Sequence, residues 1–308
     1  MRRALAAACA ALVLAAGCSG PSGPAPTTEP SETADPVPRL GDPVLARTTS
    51  AEDDSRLTGT PHAVWLTGEA SAARTVRETT SRAAENGQVA QLVVYAVPGR
   101  DCGLHSAGGL TVESYGPWVE GLADAVVGSP LVVLEPDALA QLDDCGDPAT
   151  RSRLLAGAAR TLSDAGARVY VDVGNSAWLG PEEAASRLLS LGPTGARGFA
   201  VNVSNYRTTE ESVAWADEVS RLTDGLHYVV DTSRNGNGPN GQWCNARGRA
   251  LGDPPRLVDD GTRLDALLWV KVPGESDGPC GGGPPAGTWW PEIAEELAAN
   301  DPWAEAPG

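Results

Sequence analysis

Short runs of large apolar residues recur along the chain, each bounded by Gly, Pro or polar residues and most followed by a longer stretch with helical periodicity. The apolar runs predict strands at His62–Thr67, Gln91–Val97, Leu131–Glu135, Arg168–Val173, Gly198–Val203, Leu226–Thr232 and Ala266–Val272. The periodic stretches predict helices at Ser71–Asn86, Arg151–Asp164, Pro181–Leu191 and Thr209–Leu222, and a last one over Trp289–Asn300. Gly87, Gly166 and Gly225 stand where helix C-caps are needed. Strand and helix in alternation imply a parallel sheet with helices outside it. Seven such strands suit a closed α/β barrel, with an open doubly wound sheet as the rival.

The sharpest strand signal is Leu131–Leu134, four large apolar residues in a row between Pro130 and Pro136. It delivers Glu135 and Asp137 in quick succession to its C-terminal end. Carboxylates at that end of a buried parallel strand face a cleft, where partial burial raises a pKa toward that of an acid catalyst. The bland alternative makes Asp137 the N-cap of a helix beginning at Ala138. Other strands end in the same manner, in Trp65, in Tyr95 to Asp101, in Asp172, in Asn202 to Tyr206, in Asp231 to Asn235 and in Lys271 to Asp277. A closed parallel barrel gathers all these ends on one face, where barrel enzymes work. The barrel is therefore favoured over the open sheet.

Not all 308 residues belong to the fold. Residues 1–18 open with Arg2 and Arg3, continue through an apolar run and end in small residues at Cys18, the pattern of an export signal. Ala15-Ala16-Gly17-Cys18 resembles a bacterial lipoprotein processing site, which would lipidate Cys18; cleavage nearby with free secretion is the alternative. Residues 19–43, rich in Pro, Ser and Thr, are too poor in apolar residues to fold and read as a tether. Residues 44–308 are expected to form one domain, its strand-end carboxylates marking it as catalytic. The expected location is extracellular, on the outer face of the cell membrane, with the lipid at Cys18 as the membrane contact. The formal net charge is −17, and loss of residues 1–17 with Arg2 and Arg3 takes it to −19. So acidic a surface repels nucleic acid and anionic headgroups, leaving a neutral or cationic partner.

Four cysteines remain beyond Cys9 and Cys18: Cys102, Cys145, Cys244 and Cys280. In an exported domain they argue for two disulfides, and 102–145 with 244–280 is the most local of three connectivities. No CxxC occurs and His62, His105 and His227 are scattered, so no metal site is expected. Gly236-x-Gly238-x-x-Gly241 has the form of a dinucleotide fingerprint, but Pro239 lies inside it and no helical pattern follows. No GxSxG elbow or phosphate-binding loop occurs, and no cofactor is expected. Lys271 is the only lysine among 23 basic residues, which suggests a need for a compact ammonium there, against chance retention. Nine tryptophans accompany one phenylalanine. Trp65, Trp178 and Trp243 fall at strand-end loops, where indole faces stack on sugar rings; ordinary packing accounts for others, such as Trp118, Trp215 and Trp269. Carboxylates, stacking aromatics, a lone lysine and the amides of Asn202 and Asn205 make a set suited to binding a glycan and cleaving its glycosidic bonds by hydrolysis.

LVVYAVPGRDCG, LVVLEPD, VYVDVGNSAW, VNVSNYR, DTSRNGNGP, QWCN and LLWVKVPGESDG, taken in order, resemble glycoside hydrolase family 6. The resemblance runs from about Trp65 to Trp303. It implies a distorted seven-stranded β/α barrel and an inverting β-1,4-glucanase acting on cellulose, related β-glucans or cello-oligosaccharides. It further implies that Asp137 is the general acid, that Asp101 keeps it protonated and serves a water relay, and that Asp277 is the proposed base. Tyr95 would crowd the sugar at the cleavage point and Asp172 would be a supporting carboxylate. Trp65, Trp178, Trp243, Lys271 and Glu275 would bind substrate, and the family's disulfides fall on the two local cysteine pairs. One departure stands out: Asn175 occupies a position commonly His, so altered substrate contact or pH response is expected. Inversion implies carboxyls roughly 6.5 to 9.5 Å apart. Only 34 residues separate Asp137 from Asp172, leaving little chain for a roof. An open cleft and internal cleavage are expected of a monomer. The alternatives are a cellobiohydrolase and a glucan-binding lipoprotein without hydrolytic activity.

Overall fold

The computed structural model describes residues 44–46, 57 and 59–303. The expected signal, Cys18 and the 19–43 tether lie outside the described residues. The strands are β1 (Val44–Leu45), β2 (Val64–Leu66), β3 (Gln88–Val89), β4 (Gln91–Val94), β5 (Leu131–Leu134), β6 (Arg168–Asp172), β7 (Gly198–Val201), β8 (His227–Asp231), β9 (Arg256–Leu257) and β10 (Leu264–Leu268). The helices are α1 (Ala72–Glu85), α2 (Val112–Ala123), α3 (Pro148–Asp164), α4 (Pro181–Ser190), α5 (Thr209–Leu222) and α6 (Pro291–Ala299).

Among the described residues, eight strands form one sheet in the order β2-β4-β5-β6-β7-β8-β10-β9, parallel throughout except for the short β9. All seven expected strands are present and neighbour one another in chain order. The sheet curls until its ends meet: Ala63 N–H donates to Trp269 O at 3.0 Å and the Trp65 indole to Val270 O at 2.8 Å. Alternation along each strand then fills two layers. Val93, Leu131, Val133, Tyr170, Ala200, Val229 and Leu268 pack inside the barrel, with Leu45 from β1 among them. Leu92, Val132, Leu134, Val169, Val171, Phe199 and Val230 face outward onto the helices. Both faces are covered, so the strand centres are mainly apolar, with polar residues such as Gln91, Asp172 and Asp231 at strand ends.

The sequence pattern did not predict the short strands β1, β3 and β9, and among the α-helices it did not predict α2. Thr111 caps it through a reciprocal pair with Ser114, its hydroxyl accepting from Ser114 N and its N–H donating to Ser114 Oγ. Tyr115, Val119 and Leu122 bury its inner face. Gly116 and Pro117 sit within it and mask the signal. No helix begins at Ala138: residues 138–144 turn, and α3 starts later with Asp147 as its cap. Asp137 is thus not an N-cap.

Candidate active site

Two of the parallel strands, β4 and β10, stop short of the apolar runs that predict them, for one physical reason. Past Val94, the N–H groups of Ala96 and Val97 leave the ladder and donate to the Glu135 carboxylate at 3.0–3.1 Å. Past Leu268, Val270 N–H and Lys271 N–H donate to Asp231, which also accepts from Ser204 N–H and Ser233 N–H. At the end of β6, Asp172 Oδ2 accepts from Asp137 N–H at 2.8 Å and Gly174 N–H at 3.1 Å. Buried carboxylates therefore splice adjacent strand ends together where backbone pairing ceases. The strain collects there too. Asp101, Cys102, Glu135, Asp137, Asn202 and Ser204 all take left-handed φ between 46° and 70°, a region non-glycine residues hold only when their surroundings enforce it.

Above these ends lies a cavity of about 650 Å³. Asp101, Asp137 and Asp277 all line it, together with Tyr95, Trp65, Trp178, Asn205, Trp243, Lys271 and Glu275. Asp172 lies beneath, fully buried, and accepts from the Asp137 N–H. Two expectations need correction. Glu135 does not face the cleft: alternation from Val133 would aim it into the barrel, but at φ 50° its carboxylate meets Tyr115 OH of α2 at 2.8 Å. Asn202 is fully buried and absent from the cavity wall. Its amide donates to Arg207 O and Asp231 O and accepts from Arg207 N–H, so it shapes the loop and is not free to bind a ligand.

The disulfides pair Cys102 with Cys145 and Cys244 with Cys280. The first adjoins Asp101, whose Oδ2 accepts from Ser106 N–H at 2.7 Å and Ser106 Oγ at 2.8 Å. Tyr95 presents its ring edge-on to Trp65 at 5.3 Å, and its hydroxyl pairs with Ser106 Oγ at 2.9 Å. The second disulfide holds the loop carrying Trp243. There His105 stacks on the indole at 5.5 Å. A Cβ at Gly278 would stand 2.5 Å from the His105 Cβ, so only glycine admits this approach. The loops after β4, β8 and β10 therefore touch along the cavity wall. His105 also neighbours the sulfurs of Cys244 and Cys280, but these are bonded to each other and offer no thiolate.

Asn175 does not line the cavity. Its Oδ1 accepts from Ala177 N–H at 3.0 Å and its carbonyl from Trp178 N–H at 3.0 Å. The Trp178 ring lies over Gly174, where an added Cβ would stand 2.8 Å from it. The expected effect on substrate contact thus has a route, through the turn that presents Trp178.

The electrostatics divide the carboxyls. Burial raises the Asp137 pKa well above the ordinary aspartate value, and the charges of Asp172, Asp101 and Asp277 raise it further. Asp172 is raised as well, chiefly by burial, against the pull of the two N–H groups on its Oδ2. Asp277 goes the other way. Burial works to raise it, and Arg234 and Lys271 more than offset that. Arg234 pairs with both Asp277 oxygens at 3.0 Å and lies over the Tyr206 ring at 4.6 Å, while Lys271 Nζ stands 3.7 Å from Oδ1. Burial lowers the Lys271 pKa and raises that of Glu275. Arg234 is the residue that sequence reasoning missed. One arginine among many, it has no local signature, and only the fold brings it to Asp277.

A carboxyl poised to keep its proton, facing one held ionised across a cavity with aromatic walls, is the equipment of acid–base hydrolysis. Comparison with known proteins agrees. Over 247 residues the chain is 52% identical to Endoglucanase A of Cellulomonas fimi, a match covering 79% of this chain and 55% of that protein. It therefore spans little more than half the length of that relative. It is 45% identical over 259 residues to Endoglucanase 1 of Streptomyces sp. (strain KSM-9), covering 80% of this chain and 71% of the relative. The structure superposes on the endoglucanase Cel6 of Mycobacterium tuberculosis with a TM-score of 0.76 and 42% identity, over 80% of this chain and 88% of that one. The pattern of Glycosyl hydrolases family 6 runs through residues 33–301, and with Asp101, Asp137 and Asp277 all inside that span, the chain belongs to this family.

Proposed function

We propose that the protein hydrolyses internal β-1,4-glucosidic bonds of cellulose or related β-glucans with inversion of configuration. The observation that carries this reading is the convergence of Asp101, Asp137 and Asp277 on one cavity, where burial and neighbouring carboxylates raise the Asp137 pKa while Arg234 and Lys271 lower that of Asp277. In the proposed reaction, Asp137 gives its proton to the glycosidic oxygen as the bond from C1 to that oxygen breaks. Water attacks C1 from the opposite face of the ring and loses a proton, which passes by way of a water relay past Asp101 to bulk solvent, from which Asp137 regains its own. A carboxylate of low pKa is a weak proton acceptor, so Asp277 serves chiefly as fixed negative charge facing the oxocarbenium-like centre. Trp65, Trp178 and Trp243 offer ring faces to successive sugars, and Tyr95 bounds the cavity beside the reacting one. The Mycobacterium tuberculosis relative was solved with a methyl cellobiosyl-thio-cellobioside, which supports a cello-oligosaccharide as ligand.

Export as a lipoprotein, tethered through Cys18 and residues 19–43 to the outer membrane face, completes the proposal; secretion without the lipid is its simpler variant. A monomer acting on soluble glucan suits this arrangement. Release of cellobiose from chain ends is a second reading, favoured by the His105–Trp243 contact that joins loops along the cavity. Incubation with carboxymethylcellulose separates the two: internal cleavage drops viscosity ahead of reducing-sugar release. Proton NMR of the first products from cello-oligosaccharide, with Asp137→Asn beside the wild type, tests the chemistry. The α-anomer and an inactive variant are expected; a β-anomer as first product contradicts inversion, and an active variant contradicts the role of Asp137.

A further inference from the structure

Glu135 is fully buried and absent from the cavity wall, and the reaction just described makes no use of it. It is nevertheless a buried carboxylate with three donors aimed at it: Ala96 N–H, Val97 N–H and Tyr115 OH. Those two amides form the root of the loop that carries Tyr95 on one side and Asp101 on the other. Glu135 itself is separated from Asp137 by Pro136 alone, and proline fixes the dihedral between them. At the outer end the same two loops are joined differently, by the Cys102–Cys145 disulfide and by Arg151, which donates to Gly99 O and Gln141 O. Arg100 braces only its own loop and the end of β2, through Tyr95 O, Ser106 O and Thr67 O.

We propose that Glu135 is a positioning residue for hydrolysis, the shared anchor that sets where Asp101 and Tyr95 stand relative to Asp137. This rests on the reading of Asp137 as the acid. The chemistry favours it on two counts. A carboxylate has acceptor positions for all three donors, whereas an amide must turn its NH₂ toward one of them. An unmatched donor in a site this dry pushes its loop away, and a displacement near 1 Å between reacting groups costs about 100-fold in rate. Burial also raises the Glu135 pKa to about 7 against the pull of its donors, a desolvation cost that an apolar side chain at this position would avoid.

The test uses the full chain on cello-oligosaccharide, with Glu135→Gln and Tyr115→Phe as variants. Neither residue lines the cavity. Both variants are expected to lower kcat, Glu135→Gln by about 10- to 100-fold and Tyr115→Phe by several-fold, with KM changed less than twofold. The alkaline limb of the kcat–pH profile should move to lower pH, because Asp101 no longer stands where its charge raises Asp137. Tyr115→Phe removes one oxygen and keeps the measurement informative if Glu135→Gln does not fold. An unchanged kcat and pH profile, or a loss confined to melting temperature, overturns the proposal. Asp137→Asn run in parallel separates the two levels. If it is inactive while Tyr115→Phe matches wild type, the positioning role alone fails; if it is active, the reading of the reaction fails and this inference with it.

Discussion

The backbone N–H of Asp137 donates to Oδ2 of Asp172 at 2.8 Å. The residue proposed as the general acid is thus held by its main chain against a second buried carboxyl. The contact fixes the left-handed backbone of Asp137, φ 70°, and places a like charge beside it. Placement and proton affinity come from the same bond.

The first prediction concerns the sign of that coupling. Among neighbouring charges, Asp172 contributes most to raising Asp137. Asn at position 172 still accepts from the two N–H groups but carries no charge. Asp172→Asn should lower the Asp137 pKa and move the alkaline limb of kcat/KM to lower pH. A limb that stays in place, measured by initial rates across pH 5 to 9, would remove Asp172 from the account.

Stability should depend on pH in a defined direction. Glu135, Asp137 and Asp172 have pKa values raised in the fold, Glu135 to about 7. A group raised in this way stabilises the fold fully below its unfolded pKa, and that contribution is lost as pH rises through the folded value. Each unit of difference is worth about 1.4 kcal/mol. Asp277, lowered in the fold, acts oppositely and loses its contribution only in stronger acid. Calorimetry should find a higher melting temperature at pH 5 than at pH 8. A flat or reversed trend contradicts the assignments.

Each disulfide closes a long loop, with sequence separations of 43 and 36. Chain entropy assigns about 4 kcal/mol to a loop of this size, or about 10 °C in melting temperature for a domain of this length. Cys102→Ser with Cys145→Ser should produce such a drop and also lower kcat, because Cys102 adjoins Asp101. Cys244→Ser with Cys280→Ser should weaken binding through Trp243 as well. Unchanged kinetics in both would show that the loops hold their shape without them.

Arg234 keeps Asp277 ionised. Arg234→Met should raise the Asp277 pKa, move the acid limb of the pH profile to higher pH and reduce kcat by at least about 10-fold, in line with losing a buried charge-assisted pair in which Nη1 meets both carboxylate oxygens. Kinetics across pH 3 to 7 would show this. Retention of the wild-type acid limb would mean that Lys271 suffices.

Much of this was readable before any coordinates. The seven strands stand out because a parallel sheet covered on both faces is built mainly from large apolar residues. The cavity residues follow because strand C-termini share one face. What the pattern could not reveal is where a strand stops when its amides turn to a carboxylate from another strand, as Ala96 and Val97 do to Glu135. Nor could it show which of two neighbouring carboxyls faces the cavity, since the left-handed turns at Glu135 and Asp137 break the alternation. Helix α2 was masked by Gly116 and Pro117, whose local preferences oppose the helix that packing of Tyr115, Val119 and Leu122 imposes. Arg234 meets Asp277 across 43 positions of sequence, a distance no local rule spans.

The proton held by Asp137 is tested most directly by varying what must receive it. Asp137→Ala should lose at least about 100-fold in activity on cello-oligosaccharide, whose leaving oxygen needs protonation. On a 2,4-dinitrophenyl cellobioside, whose leaving group departs as a stable anion, the same variant should stay within about tenfold of wild type. An equal loss on both substrates, or none on the oligosaccharide, would contradict the assignment of Asp137 as the acid.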